Sequence, residues 1–251
     1  MKLKLGSDND IIAFIKAVDK EYFDRFVNDG QVCLNTTKWF REYERNDPNI
    51  GDAYEGVIIA CGKGITLSSA NSIESYTSVE DLKNKIDEAS WSESISGITD
   101  LKIYSSDYNA NIFSLYAITS SLYDTCQVEE HILPDKFISE FSNHRFVLIV
   151  NPSIFISKMK DGMAKIGKSM KYGMVAYYKL DENLKDNLSP FDKQDRYLYQ
   201  KEFRLISEGK NAVKQVINIG SLNEICFEID PTKFMYRIKN DEVDLIIRPE
   251  N

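Results

Sequence analysis

Two stretches of the chain carry residues whose types and spacing could do chemistry. The first reads Asn35-Thr36-Thr37-x-x-Phe40 and resumes, after a polar segment, as Gly51-Asp52-x-x-Glu55-Gly56. An Asn and two hydroxyl residues between a strand end and a helix start present backbone N–H groups that suit a phosphate or a carboxylate. Ordinary capping of a short helix by Thr36 or Thr37 uses the same residues and is the simpler reading in isolation. Glu42, Glu44, Asp47, Asp52 and Glu55 make this stretch rich in carboxylates, at a spacing that fits no EF-hand loop. Asp52 and Glu55 stand apart because glycines bracket them, and a turn constrained by Gly51 and Gly56 fixes both side chains.

The second stretch runs from Phe191-Asp192-Lys193 to Tyr199-Gln200-Lys201-Glu202-Phe203-Arg204. If residues 199–205 are extended, Gln200, Glu202 and Arg204 project from one face while Phe203 and Leu205 point to the core. Such a triplet is either the wet face of an antiparallel sheet or a site.

Other chemistries find little material. The two histidines, His131 and His144, are too few for a His-rich zinc or two-His iron site. Either could act as a general base, but the sequence supplies no partner. The four cysteines, Cys33, Cys61, Cys126 and Cys226, form no Cys-x-x-Cys pair. All but Cys126, which has no clear setting, read as buried free thiols. No Gly-x-Ser-x-Gly, P-loop or Gly-x-Gly-x-x-Gly occurs, and Cys-Gly-Lys-Gly at 61–64 reads as a turn.

These motifs, with a strand over 145–150 before a helix and another over 172–180, resemble an uncharacterised bacterial domain family that recurs in prophages and anti-phage islands. The resemblance spans residues 20–207 in short motifs. More distantly it extends to the ADP-ribosyltransferase superfamily, in which Gln-x-Glu or Glu-x-Glu on a late strand places the catalytic glutamate. Gln200-Lys201-Glu202 matches that pattern as written. The resemblance implies NAD as substrate, Glu202 as the catalytic residue and Gln200 orienting the acceptor. It further implies Lys193 or Arg204 at the pyrophosphate, with Asn35 and Thr36 on the early side of the pocket. The superfamily's early His or Arg, followed by Thr or Gly, has no counterpart in this sequence, and its middle Ser-Thr-Ser strand has only Ser68-Ser69 and Thr119-Ser120-Ser121 as stand-ins.

The elements that must position these residues follow from patterning. A short strand is expected at 2–5, then a helix from Ser7 or Asp8 to Asn28, with Ile11, Ile15, Val18, Tyr22 and Phe26 at helical spacing, ended by Gly30. A strand at 31–35, a hairpin pairing 57–60 with 65–69, and a helix from Ser78 to Ala89 come next. Strands at 112–119 and 145–150 precede a helix opened by Asn151-Pro152-Ser153. The segment 181–195 reads as polar surface, and strands at 202–207, 215–219, 225–229, 234–238 and 244–247 complete the chain. Strands cluster rather than alternate with helices, so the expected class is α+β. It would be one domain over 1–251, with mostly antiparallel or mixed strands and several helices packed on the sheet.

The 251 residues carry 31 Lys and Arg against 39 Asp and Glu, a net charge of −8. An acidic chain without a basic block is poorly suited to wrapping nucleic acid. No apolar run is long enough for a membrane span or signal peptide, so a cytoplasmic protein is expected. The leading expectation is a defence effector that uses NAD to modify a macromolecule. Its alternatives are a non-catalytic binding module for a protein partner (sensor, inhibitor or antitoxin-like), and a hydrolase or nuclease holding a divalent metal on Asp52, Glu55 and Glu202.

Overall fold

A computed structural model describes residues 2–4, 11–46, 51–62, 65–68, 94–98, 101–104, 109–119, 130–131, 133–181, 185–209, 212–239 and 242–247. In chain order the strands begin with β1 (Lys2–Lys4), β2 (Ile11–Asp19), β3 (Gln31–Thr36), β4 (Val57–Cys61), β5 (Ile65–Ser68) and β6 (Ser94–Ile98). They continue with β7 (Leu101–Tyr104), β8 (Ala110–Thr119), β9 (Glu130–His131), β10 (His144–Ile149), β11 (Lys171–Met174) and β12 (Ala176–Tyr178). The last are β13 (Asp192–Gln194), β14 (Glu202–Glu208), β15 (Gln215–Asn218), β16 (Cys226–Ile229), β17 (Phe234–Lys239) and β18 (Glu242–Ile247). Three α-helices are described: α1 (Thr37–Tyr43), α2 (Asp135–Glu140) and α3 (Pro152–Lys165). The fold is α+β, built on an eight-stranded antiparallel sheet in the order β11-β14-β8-β2-β10-β16, with β3 and β15 branching from β8.

Both faces of this sheet are covered. Phe14, Phe113, Leu115, Phe203 and Leu205 pack on one side with Phe155, Met159 and Met163 of α3. Ile15, Tyr116, Phe146 and Leu148 pack on the other with Phe137 of α2 and Phe234. Period-two alternation thus puts apolar residues on both faces of β2, β8 and β10.

That double burial corrects the expected helix over 8–28. Residues 11–19 form the sheet's central strand, hydrogen-bonded to β8 and β10. Ile12, Ala13, Phe14 and Ile15 are all buried, and a continuous apolar run of this kind reads equally well as helix or strand by periodicity alone. Helical structure appears later, as a π-helical turn over Arg25–Asp29 ended by Gly30 at φ 62°. The expected hairpin is also replaced, because β4 pairs with β7 and β5 with β6. The strand expected at 172–180 divides at Val175, where β11 on β14 gives way to β12 parallel to β13. The helix expected at 78–89, and Cys126, lie outside the described residues.

The sheet forks at β8. Along one edge of that strand Ile11–Ile15 of β2 pairs with 116–119, and Asn35 and Thr36 of β3 pair with Ile112 and Asn111. Residues 113–115 lie between the two partners. The Ser114 carbonyl in this gap accepts a hydrogen bond from Lys16 Nζ at 2.9 Å.

Candidate functional site

A cavity of about 200 Å³ opens over the fork. Asn35, Asp52, Glu55, Lys193, Gln200, Glu202 and Arg204 all line it, although they come from two stretches far apart in sequence. Thr36 does not: its hydroxyl accepts from the Trp39 N–H at 3.0 Å and caps α1. The polar triplet is no wet face, for Gln200, Glu202 and Arg204 are all buried.

The local backbone explains the convergence. Asp195–Gln200 is a 3-10 helix rather than strand, which corrects the extended reading of 199–205. Lys201 then takes a left-handed conformation, φ 37°, and turns the chain into β14. Gln200 and Glu202 reach the same cavity through this turn, not by alternation, and backbone conformations of this kind concentrate at functional sites. Lys193 and Gln194, expected at the surface, are buried beside them.

Gly51 and Gly56 fix the other carboxylates. A Cβ on Gly51 would lie 2.1 Å from the backbone nitrogen of Glu44, and Gly56 has φ +72°. Between them Asp52 accepts from the Tyr54 N–H at 2.9 Å, and the Glu55 N–H donates to the Asp52 carbonyl at 2.9 Å.

Arg204 joins the two stretches. Its Nη1 and Nη2 donate to the two oxygens of Glu55 at 3.0 and 2.8 Å, and its Nε donates to Glu202 Oε1 at 2.7 Å. Nη1 also meets the Pro190 carbonyl, and Nη2 lies 3.4 Å from Glu202 Oε2. With all five N–H groups directed at protein oxygens, no donor of Arg204 remains for a pyrophosphate. Its place in the site is to hold the two glutamates.

Lys193 Nζ donates to Glu202 Oε2 and to Gln200 Oε1, both at 2.8 Å. The Ser114 hydroxyl donates to Glu202 Oε1, and the Glu202 N–H donates to the Tyr177 hydroxyl at 2.8 Å. Gln200 Nε2 reaches the Tyr199 hydroxyl at 3.4 Å, which in turn donates to Glu140 on α2 at 2.5 Å.

These contacts drive the carboxyl groups apart in acidity. Burial alone would raise the pKa of Glu202, but the charges and hydrogen bonds of Arg204 and Lys193 outweigh it and hold the group well below the usual range. Burial pushes Glu55 up to about 7, opposed by Arg204 and reinforced by the Asp52 charge. Asp52 is also raised by burial, against Lys193 and Arg204. An ionised carboxylate beside one that exchanges its proton near neutrality is the arrangement in which one group stabilises charge and the other moves a proton.

Several cavity residues escape the motif reading. Lys16, Trp39, Ser114 and His144 line the cavity with the seven named above, and the His144 ring packs edge-on against Phe141 at 5.4 Å. The legible signal for Lys16 is a lone cation in the apolar run 11–18. The side chain of His131 lies outside the described residues. Among the described residues no three His, Cys, Asp or Glu side chains are grouped to hold a metal ion; Glu55 and Glu202 instead meet cationic side chains. Also among the described residues, no helix is long and apolar enough to cross a membrane. Comparison with protein-family models, curated proteins and solved structures returns no match.

Proposed function

We propose that this cavity is the active site of an ADP-ribosyltransferase-like enzyme that cleaves NAD at the nicotinamide–ribose bond and acts on a macromolecule, as a cytoplasmic effector of bacterial or phage-related defence. The observation that carries the reading is Glu202, buried, ionised and beside Gln200 on the cavity wall. Departure of neutral nicotinamide leaves positive charge at the ribose C1 and ring oxygen. A fixed carboxylate in a water-poor site offsets that charge. The acceptor, a side chain of the target or a water molecule, then attacks C1 and gives up a proton, for which Glu55 is the group poised near neutrality. Lys193 uses two of its three N–H donors within the protein, so the phosphate contact falls to it rather than to Arg204. A volume of about 200 Å³ is below the roughly 300–1,000 Å³ of whole-ligand pockets. Nicotinamide and its ribose therefore enter with the adjoining phosphate at Lys193, and the adenosine half of the dinucleotide lies outside.

One observation favours a second reading, a binding module. Glu202 Oε1 already accepts from Ser114 and Arg204, and Oε2 from Lys193, so a ribose hydroxyl has to displace a resident donor. Incubation with NAD separates the two. Release of nicotinamide supports the enzyme, whereas intact NAD together with a stable protein complex on pull-down supports the binding module.

A further inference from the structure

Lys16 belongs to neither motif, yet its amine occupies the fork at the centre of the sheet. Nζ donates to the Ser114 carbonyl at 2.9 Å and stands 4.5 Å above the Phe113 ring, with the cavity before it. Ser114 also donates its hydroxyl to Glu202, so a single residue separates the amine from the ionised carboxylate. Burial brings Lys16 down to about 8, against the opposing pull of Glu202 and Cys33. An appreciable fraction of the amine is therefore neutral and nucleophilic under physiological conditions, as in lysines that form Schiff bases from desolvated pockets.

The rest of the cavity supplies what addition to a carbonyl requires. Glu55 exchanges a proton near neutrality, and Lys193 offers a cationic donor to a developing oxyanion. Three cations, Lys16, Lys193 and Arg204, face three carboxyl groups, Asp52, Glu55 and Glu202, so the cavity makes no demand for a charged ligand. Asn35, Gln200 and the carboxyl groups pair naturally with hydroxyls.

We propose that Lys16 binds a small, neutral, hydroxyl-bearing aldehyde or ketone covalently as an imine, with an open-chain sugar or shorter hydroxyaldehyde as the ligand class. This goes beyond the NAD reading and does not rest on it. The amine lone pair attacks the carbonyl carbon, the π pair moves to oxygen, and proton transfer from nitrogen to oxygen gives the carbinolamine. The hydroxyl then leaves as water, taking a proton from the acid form of Glu55. Nitrogen forms the C=N bond and returns its last proton to Glu55. One water is released and nothing is oxidised or reduced.

The test is reductive trapping of the full chain with glyceraldehyde and cyanoborohydride, read lysine by lysine by peptide mapping, beside a parallel reaction with propanal. Lys16 should label about tenfold or more faster than the exposed lysines at neutral pH, because burial favours its neutral, nucleophilic amine. Its labelling should rise through a midpoint near pH 8, and the preference should be several-fold larger with glyceraldehyde than with propanal, which lacks the hydroxyls. Lys16→Arg keeps a donor for Ser114 and should fold and lose the label. Labelling spread evenly over the lysines, or equal selectivity with propanal, overturns the proposal. Because the wild-type map decides, the result stands whether or not the variant folds and whether or not NAD is turned over.

Discussion

Arg204 is fully buried, and two of the three cavity carboxyl groups depend on it. Taking a guanidinium and its partners out of water is costly, and the cost is offset only while every member stays paired. Arg204→Met should therefore destabilise the chain by about 3–5 kcal/mol, read by urea denaturation, because Glu55 and Glu202 lose their common partner. Arg204→Lys should recover little of this, since an ammonium cannot span both carboxylates as the planar fork does. At this scale the sequence was legible where chemistry showed in residue type, as in the glycine-bracketed Asp52 and Glu55 and the Gln200–Glu202 pair. The partners were not, because the contact of Arg204 with Glu55 crosses 149 positions and no local pattern encodes it. Thr36 shows the reverse case: a residue of suitable type that the cap consumes.

The elements place these residues through three devices: the fork at β8, the Gly51–Gly56 turn, and the left-handed Lys201 between the 3-10 helix and β14. Gly51→Ala drives a Cβ into backbone that cannot yield, so it should lower the melting temperature and displace Asp52 and Glu55 together, reducing NAD turnover with it. Thr36→Ala should cost about 1 kcal/mol through loss of the α1 cap and leave turnover per folded molecule unchanged; a large loss of turnover would return Thr36 to the site. Strands β8, β10 and β14 and the Asn151-capped α3 were legible because β-branched runs and capping chemistry are local signals. The central strand β2 was not, since an apolar run buried on both faces satisfies helical spacing by accident. The pairing of β4 with β7 joins residues some forty positions apart, beyond the reach of local turn signals.

For the molecule as a whole, the net charge of −8 says little about a cavity whose six charged groups balance. Their titration should nonetheless appear in global stability. Glu55 has its pKa raised from 4.5 to about 7, so the native state holds more protons than the unfolded chain between those values, and this contribution falls as pH rises. Lys16 is lowered from 10.5 to about 8, so the native state holds fewer protons across that window and stability recovers with increasing pH. The two together predict a stability minimum between about pH 7 and 8, seen as a dip in melting temperature. Glu55→Gln should flatten the acid side of that dip. The charge stabilisation proposed for Glu202 at the ribose of NAD is measured by nicotinamide release from wild type and Glu202→Gln at saturating NAD. The amide keeps the shape, removes the charge and replaces one of two acceptor oxygens by a donor beside Arg204 and Lys193, so turnover is compared per folded molecule. The kcat of Glu202→Gln should fall about 100-fold or more with NAD binding largely retained, whereas equal turnover by the two proteins, or none by wild type, rules this role of Glu202 out.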